Sequence, residues 1–167
     1  MVAVSQSARL ADTKRLATTL DLPHLADHVR RIESSIEADP ALAIGSAKEM
    51  IETVCKTILD KRGSSSGVTY TKDDDLNELG KKAFGVLRQL PDDIPDAKKG
   101  SKTIKTMLSN LRTIVQCLAE LRNLYGSGHG REGTLRGGLL PRHARLVVGA
   151  ASTLAWYLLE TDRDTGT

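Results

Sequence analysis

The feature that most constrains the fold is a stripe of apolar residues at helical spacing in the second half of the chain. Its members are Ile104, Met107, Leu108, Leu111, Val115 and Leu118. Intervals of three or four residues place side chains on one face of an α-helix, so the stripe predicts a helix over about 101–124. Similar stripes predict helices over about 22–38 and 40–61, a helix whose buried face runs from Leu76 to Leu90, and a last helix that begins at Pro141 and ends near Thr161.

Nothing in the chain resembles a β-strand. No run alternates polar and apolar residues for long enough, and aromatic residues make up only 3% of the chain, so Leu, Ile, Val and Ala must build the core. We therefore predict an all-α bundle of about five helices. We expect residues 1–20 to form an N-terminal segment with at most a short helix, residues 21–162 a single helical domain, and residues 163–167 a disordered tail.

Positive charge is concentrated in one part of the chain. The net charge is +3, but residues 122–145 hold five arginines and one glutamate, which gives +4 for that window and −1 for the rest. Arginine offers a planar, bidentate grip on phosphate, so the window is a candidate nucleic-acid surface, with a solvated basic loop as the alternative. Besides Arg122, the candidate contacts are Tyr125, Arg131, Arg136, Arg142, His143 and Arg145.

The candidate catalytic residues lie where this window begins, in the stretch LRNLYGSGHGREG at positions 121–133. Arg122 follows Leu118 by four residues, so we expect it to continue the buried face and to border a cleft or find a partner. Glycines flank His129 and let the chain turn tightly. An arginine and a histidine in one pocket would suit metal-free RNA cleavage, whereas a surface loop with a solvated histidine is the simpler interpretation.

Other kinds of site find little support. The glycines match neither the dinucleotide-binding nor the phosphate-loop pattern, and His129 and His143 lack a cluster of further ligands, so we expect no metal and no cofactor. Cys55 and Cys117 lie within apolar patterns and are expected to be buried, reduced thiols. His24 and His28 are expected on the surface. With no signal peptide and no apolar run long enough to span a bilayer, we expect a cytoplasmic protein.

The same residues also carry a family resemblance. The stretch RNLYGSGHG, followed by PRHARLVVGAASTLAWYLLET, resembles the abortive-infection protein C-terminal domain, a family of the HEPN superfamily whose mark is Arg, a polar residue, an interval and His. The resemblance implies an all-α, HEPN-like bundle that dimerises. It also implies a metal-independent endoribonuclease of antiviral defence or a toxin–antitoxin pair. On this basis Arg122 would steady the phosphate, Asn123 would orient the site, and His129 would be general acid or base.

The implied partners are RNA, a second copy of the chain, and an antitoxin or sensor encoded separately, with no membrane. Many HEPN domains are inactive, so the alternative is a non-catalytic module that binds RNA, a nucleotide or a partner protein. The cluster of arginines supports both hypotheses equally.

Overall fold

A computed structural model describes residues 8–97, 99–125 and 139–165, and the regular structure within these ranges is entirely helical. The six α-helices are α1 (Ala8–Thr19), α2 (Pro23–Ser35), α3 (Pro40–Arg62), α4 (Leu76–Val86), α5 (Ser101–Tyr125) and α6 (Pro141–Asp164). Single 3-10 turns cover Ser64–Ser66 and Pro91–Asp93. The all-α prediction is confirmed, and the described part of the chain holds six helices because the N-terminal segment also forms one.

Side-chain caps explain where two of the helices begin. The Asp39 carboxylate accepts a hydrogen bond from the Leu42 N–H at 3.1 Å and starts α3. The Asp75 carboxylate accepts from the Glu78 N–H at 2.9 Å and starts α4. Each cap satisfies a backbone donor that has no partner within its helix. The helix α4 ends before Arg88, whose φ of 54° is incompatible with a continuing helix, so α4 is shorter than the run from Leu76 to Leu90 predicted.

The helix α3 forms the centre of the bundle. It packs against α2, α4, α5 and α6. Residues with less than 2% exposure line it from end to end: Ala43, Ile44, Ala47, Met50, Ile51, Val54, Cys55 and Ile58. The chain's one phenylalanine, Phe84, is fully buried against the same core from α4. A helix buried on so much of its surface must be surrounded by others, and this sets the layered arrangement.

The helix α1 belongs to the same core. Leu10, Leu16 and Ala17 are buried in it. The Thr13 hydroxyl, which is also buried, donates to the Ser152 carbonyl of α6 at 3.2 Å. The Arg9 guanidinium lies 4.3 Å from the centre of the Trp156 ring, a cation–π contact. These contacts hold α1 against α6.

One buried carboxylate joins the ends of α3 and α6. The Asp162 side chain is 7% exposed and accepts from Lys61 at 2.8 Å and from the Arg62 guanidinium. Arg62 also donates to the Asp162 backbone carbonyl. A buried carboxylate needs such partners, and this cluster therefore fixes the end of α6 against the end of α3.

Candidate functional site

The last turn of α5 carries the Arg–Asn pair that the sequence singled out. Arg122 and Asn123 are both exposed, whereas Leu118, one turn earlier, is 2% exposed. The expectation that Arg122 extends the buried face is therefore wrong. The α5 helix is 25 residues long, and among the described residues no helix covers the face of its last turn on which Arg122 and Asn123 lie.

Exposure leaves Arg122 available to a ligand. Within the described ranges no carboxylate lies within ion-pairing distance of its guanidinium. The residue is also the one basic side chain in the last turn of α5, where the partial negative charge of the helix end favours a cation. An unpaired guanidinium at this place can grip a phosphate without first breaking an internal ion pair.

Tyr125 and Leu139 bring the two ends of the intervening segment to one place. Both line a small cavity of about 170 Å³ together with Ala38, Asp39 and the start of α3. Since α5 ends at Tyr125 and α6 begins at Pro141, the last turn of α5 and the first turn of α6 lie at the same end of the bundle. Arg122 and Arg142 therefore both lie at this end of the bundle.

The first turn of α6 divides the remaining candidates. Arg142 is exposed and has no ion pair among the described residues. Arg145 is bound to Glu37. The His143 ring accepts a hydrogen bond from the Leu140 N–H through Nδ1 at 3.1 Å, which caps the start of α6. His143 thus stabilises a helix end, and Arg142 is the side chain here that remains free for an anion.

His129, Arg131 and Arg136 lie outside the described residues. The pairing of Arg122 with His129 therefore stays a prediction, and so does the contribution of the two arginines to a nucleic-acid surface.

A second group of titratable side chains lies between α2 and α3, and it corrects the placement of His28. This ring is only 12% exposed. Its Nδ1 accepts from the Arg31 guanidinium at 2.6 Å, so its Nε2–H donates to the Thr53 hydroxyl at 3.0 Å. Burial first, and then the Arg31 charge, hold the pKa of His28 below its usual value, against the opposing effect of Glu49.

The two cysteines differ from each other. Cys55 is fully buried, and burial raises the pKa of its thiol to about 12. Cys117 is exposed on α5, which contradicts the expectation that both are buried.

No group of three or more potential metal ligands occurs in the described ranges. None of the helices in those ranges has the length and apolar character needed to cross a bilayer.

A polar groove between α4 and α5 holds residues that the sequence argument passed over. Its volume is about 440 Å³. Gly80 and Val115 form its floor, and its walls are Asn77, Lys81, Ser109, Arg112, Thr113 and Gln116. Gly80 lets the helices approach, because a Cβ at that position would lie 3.1 Å from Val115 Cγ1. A glycine inside an otherwise regular helix was the available signal for this close approach.

The chain is similar to one known family over most of its length. The sequence model of the Abi_C family, described as a HEPN-like domain, matches residues 23–162. The matched region contains α2 to α5, all of α6 except its last two residues, and the whole segment between Arg122 and Arg145. No curated protein and no solved structure matches the chain.

Proposed function

Because the chain belongs to the Abi_C family of HEPN-like domains, we propose that it is a metal-independent endoribonuclease of antiviral defence or of a toxin–antitoxin pair. Arg122, Asn123 and His129 form the reacting site of this proposal. The observation that carries it is Arg122, which is exposed at the end of α5 and has no ion pair among the described residues. Arg142, exposed at the start of α6, lies at the same end of the bundle. Two free guanidiniums at one end of the bundle suit a phosphodiester.

The chemistry needs one base, one acid and stabilisation of negative charge. His129 removes the proton from the ribose 2′-hydroxyl, the 2′-oxygen attacks the adjacent phosphorus, and the bond from phosphorus to the 5′-oxygen breaks. The leaving 5′-oxygen takes up a proton from a solvent water, which acts as the acid, and the products are a 2′,3′-cyclic phosphate and a 5′-hydroxyl. Arg122 stabilises the additional negative charge on the phosphoryl oxygens, and the Asn123 amide orients the substrate.

Chain length permits this arrangement. His129 follows Tyr125 by four residues, which span at most about 14 Å when fully extended. Arg122 precedes Tyr125 by three residues of helix, a rise of about 4.5 Å. The imidazole can therefore reach the phosphate that Arg122 contacts.

A second copy of the chain completes the proposed site. Family resemblance implies a dimer that brings two Arg–His sites together. Large apolar side chains exposed near this end of the bundle support that arrangement: Leu124 is 66% exposed and Leu146 is 73% exposed. The proposed dimer acts on RNA in the cytoplasm and is controlled by an antitoxin or sensor encoded separately.

The test is cleavage of total RNA and of a defined oligoribonucleotide with EDTA present. We expect products with cyclic phosphate and 5′-hydroxyl ends. We expect Arg122→Ala and His129→Ala to lower the rate by at least about 100-fold, as is usual for lost charge stabilisation or general-base catalysis. Arg30→Ala is the control for loss of an exposed arginine elsewhere on the surface, since Arg30 lies on α2 and pairs with Asp27 at 3.0 Å. Equal cleavage by all three variants would refute the proposal. Sedimentation of the same samples measures the dimer.

The second candidate is a non-catalytic module that binds RNA, a nucleotide or a partner protein. The groove between α4 and α5 favours it, since the described residues that line it offer cations and amides but neither a histidine nor a carboxylate to move a proton. This function predicts salt-sensitive RNA binding without cleavage, which the same wild-type samples would reveal in fluorescence anisotropy.

A further inference from the structure

We propose that the groove between α4 and α5 is a binding site for a phosphate ester, carried either by the backbone of an RNA strand or by a free nucleotide. Lys81 and Arg112 face this groove from opposite helices. The inference does not depend on cleavage by the site at the end of α5, because it rests on the lining of the groove alone.

The groove carries positive charge on both of its sides. Lys81 and Arg112 have no ion pair among the described residues. Their neighbours on the same two helices are paired, Lys82 with Asp74 and Lys105 with Asp96 at 2.5 Å. None of the described residues that line the groove carries a carboxylate. Two cations that converge on a space without an internal counter-charge create a positive potential that an anion can satisfy.

The neutral side chains of the groove add hydrogen-bond donors and acceptors. Asn77 and Gln116 supply amides, and Ser109 and Thr113 supply hydroxyls. The Gln116 Nε2 donates one hydrogen to Glu120 at 2.8 Å, and its second amide hydrogen is left for a ligand. This set of donors and acceptors suits phosphate oxygens and the hydroxyl groups of ribose.

The size of the groove suits a small ligand. A volume of about 440 Å³ lies within the range of small-molecule sites, about 300–1,000 Å³. Gly80 contributes no side chain to the floor, so the space between the helices stays open down to Val115. A groove that is open on one side admits an end of a small ligand or a passing strand.

Position connects the groove with the end of α5. Asn123 follows Arg112 by eleven residues, which is three helical turns and about 16 Å along the same face of α5. A single strand of a few nucleotides can therefore contact both places. In that case the groove contributes to affinity for longer RNA, whereas a free nucleotide occupies it alone.

The test compares two double variants of equal charge. Lys81→Gln/Arg112→Gln removes the groove cations. Lys14→Gln/Arg30→Gln removes two cations on α1 and α2, which form exposed ion pairs with Glu33 and Asp27. All four side chains are exposed, so we expect thermal unfolding of both proteins to match the wild type. The ligands are AMP and a ten-nucleotide 2′-O-methyl RNA, which cannot be cleaved through its 2′-oxygen. Binding is followed by fluorescence anisotropy for the RNA, and for AMP by the amide NMR signal of Gly80.

We expect the groove variant to bind at least tenfold more weakly, while the control variant changes binding less than twofold. The slope of log affinity against log salt for RNA should fall by about 1.4, since each lost phosphate contact on a single strand removes about 0.7. Weakened binding of AMP identifies a nucleotide site, and an effect on RNA alone identifies a backbone site. Equal binding of both ligands by the two double variants would overturn the inference, whatever the outcome for cleavage.

Discussion

Replacing Gly63 by alanine tests how closely the chain folds back on itself after α3. Gly63 is buried, and its φ of −60° and ψ of −44° are open to any residue. Only space prevents a side chain. An alanine Cβ would lie 2.5 Å from the Leu59 carbonyl oxygen and closer still to the Val68 carbonyl oxygen. Both obstacles are backbone atoms, which no rotamer change can remove.

The expected loss of stability follows from these contacts. Alanine in a helical conformation gains about 0.5–1 kcal/mol over glycine. Overpacking against backbone costs about 1–3 kcal/mol, and it also strains the hydrogen bond from the Val68 N–H to the Gly63 carbonyl at 2.9 Å. The balance is a net destabilisation of about 1–2 kcal/mol, which lowers the melting temperature by roughly 2–8 °C in a chain of this size.

The matched control is Gly45→Ala, the same change within α3, the helix that Gly63 follows. No atom lies within 4 Å of a Cβ at Gly45, so we expect about 0.5–1 kcal/mol of added stability there. Thermal unfolding and urea titration of the two variants should move in opposite directions from the wild type. If Gly63→Ala is as stable as the wild type, the backbone separation after α3 is larger than described and the reasoning fails.

Two further predictions concern buried polar groups. Asp162→Asn should destabilise the protein by about 2–3 kcal/mol, because it leaves the mostly buried Arg62 without a counter-charge, although part of the cost is lost to solvent screening; an unchanged urea midpoint would contradict this. For His28, the lowered pKa in the folded state means that the unfolded chain binds the proton first. Stability should therefore fall as the pH drops below about 6.5. His28→Gln should lose less stability than the wild type between pH 7.5 and 5.5, and equal losses in the two proteins would exclude His28 as the cause.

The sequence predicted the bounds of some helices more accurately than those of others. The helices α3 and α5 end within one residue of the predicted bounds, because proline or a cap opens the first of them and a long apolar stripe defines the second. The C-terminal part of α4 was predicted too long, since Leu87 and Leu90 continue the apolar spacing while the left-handed Arg88 ends the helix. Apolar periodicity reports which side chains are buried but not whether the backbone between them stays helical.

At the candidate site, too, the sequence indicated which residues matter but not their exposure or their contacts. Residue types at the end of α5 identified Arg122 and Asn123, but their exposure depends on how far α5 extends beyond its neighbours. Arg142, His143 and Arg145 were all candidate contacts for a nucleic acid. Only the three-dimensional contacts of His143 with the Leu140 N–H and of Arg145 with Glu37 separate these two residues from Arg142.

Sequence alone thus determined the helical class, the family and the location of the basic segment, because periodicity, caps and motifs are local properties of the chain. The tertiary structure alone decided which cations are free and which are paired. It also decided that α4 and α5 approach closely enough at Gly80 to form a groove. Residues that line this groove are separated by up to 39 positions in the chain, from 77 to 116, and only packing brings such distant side chains together.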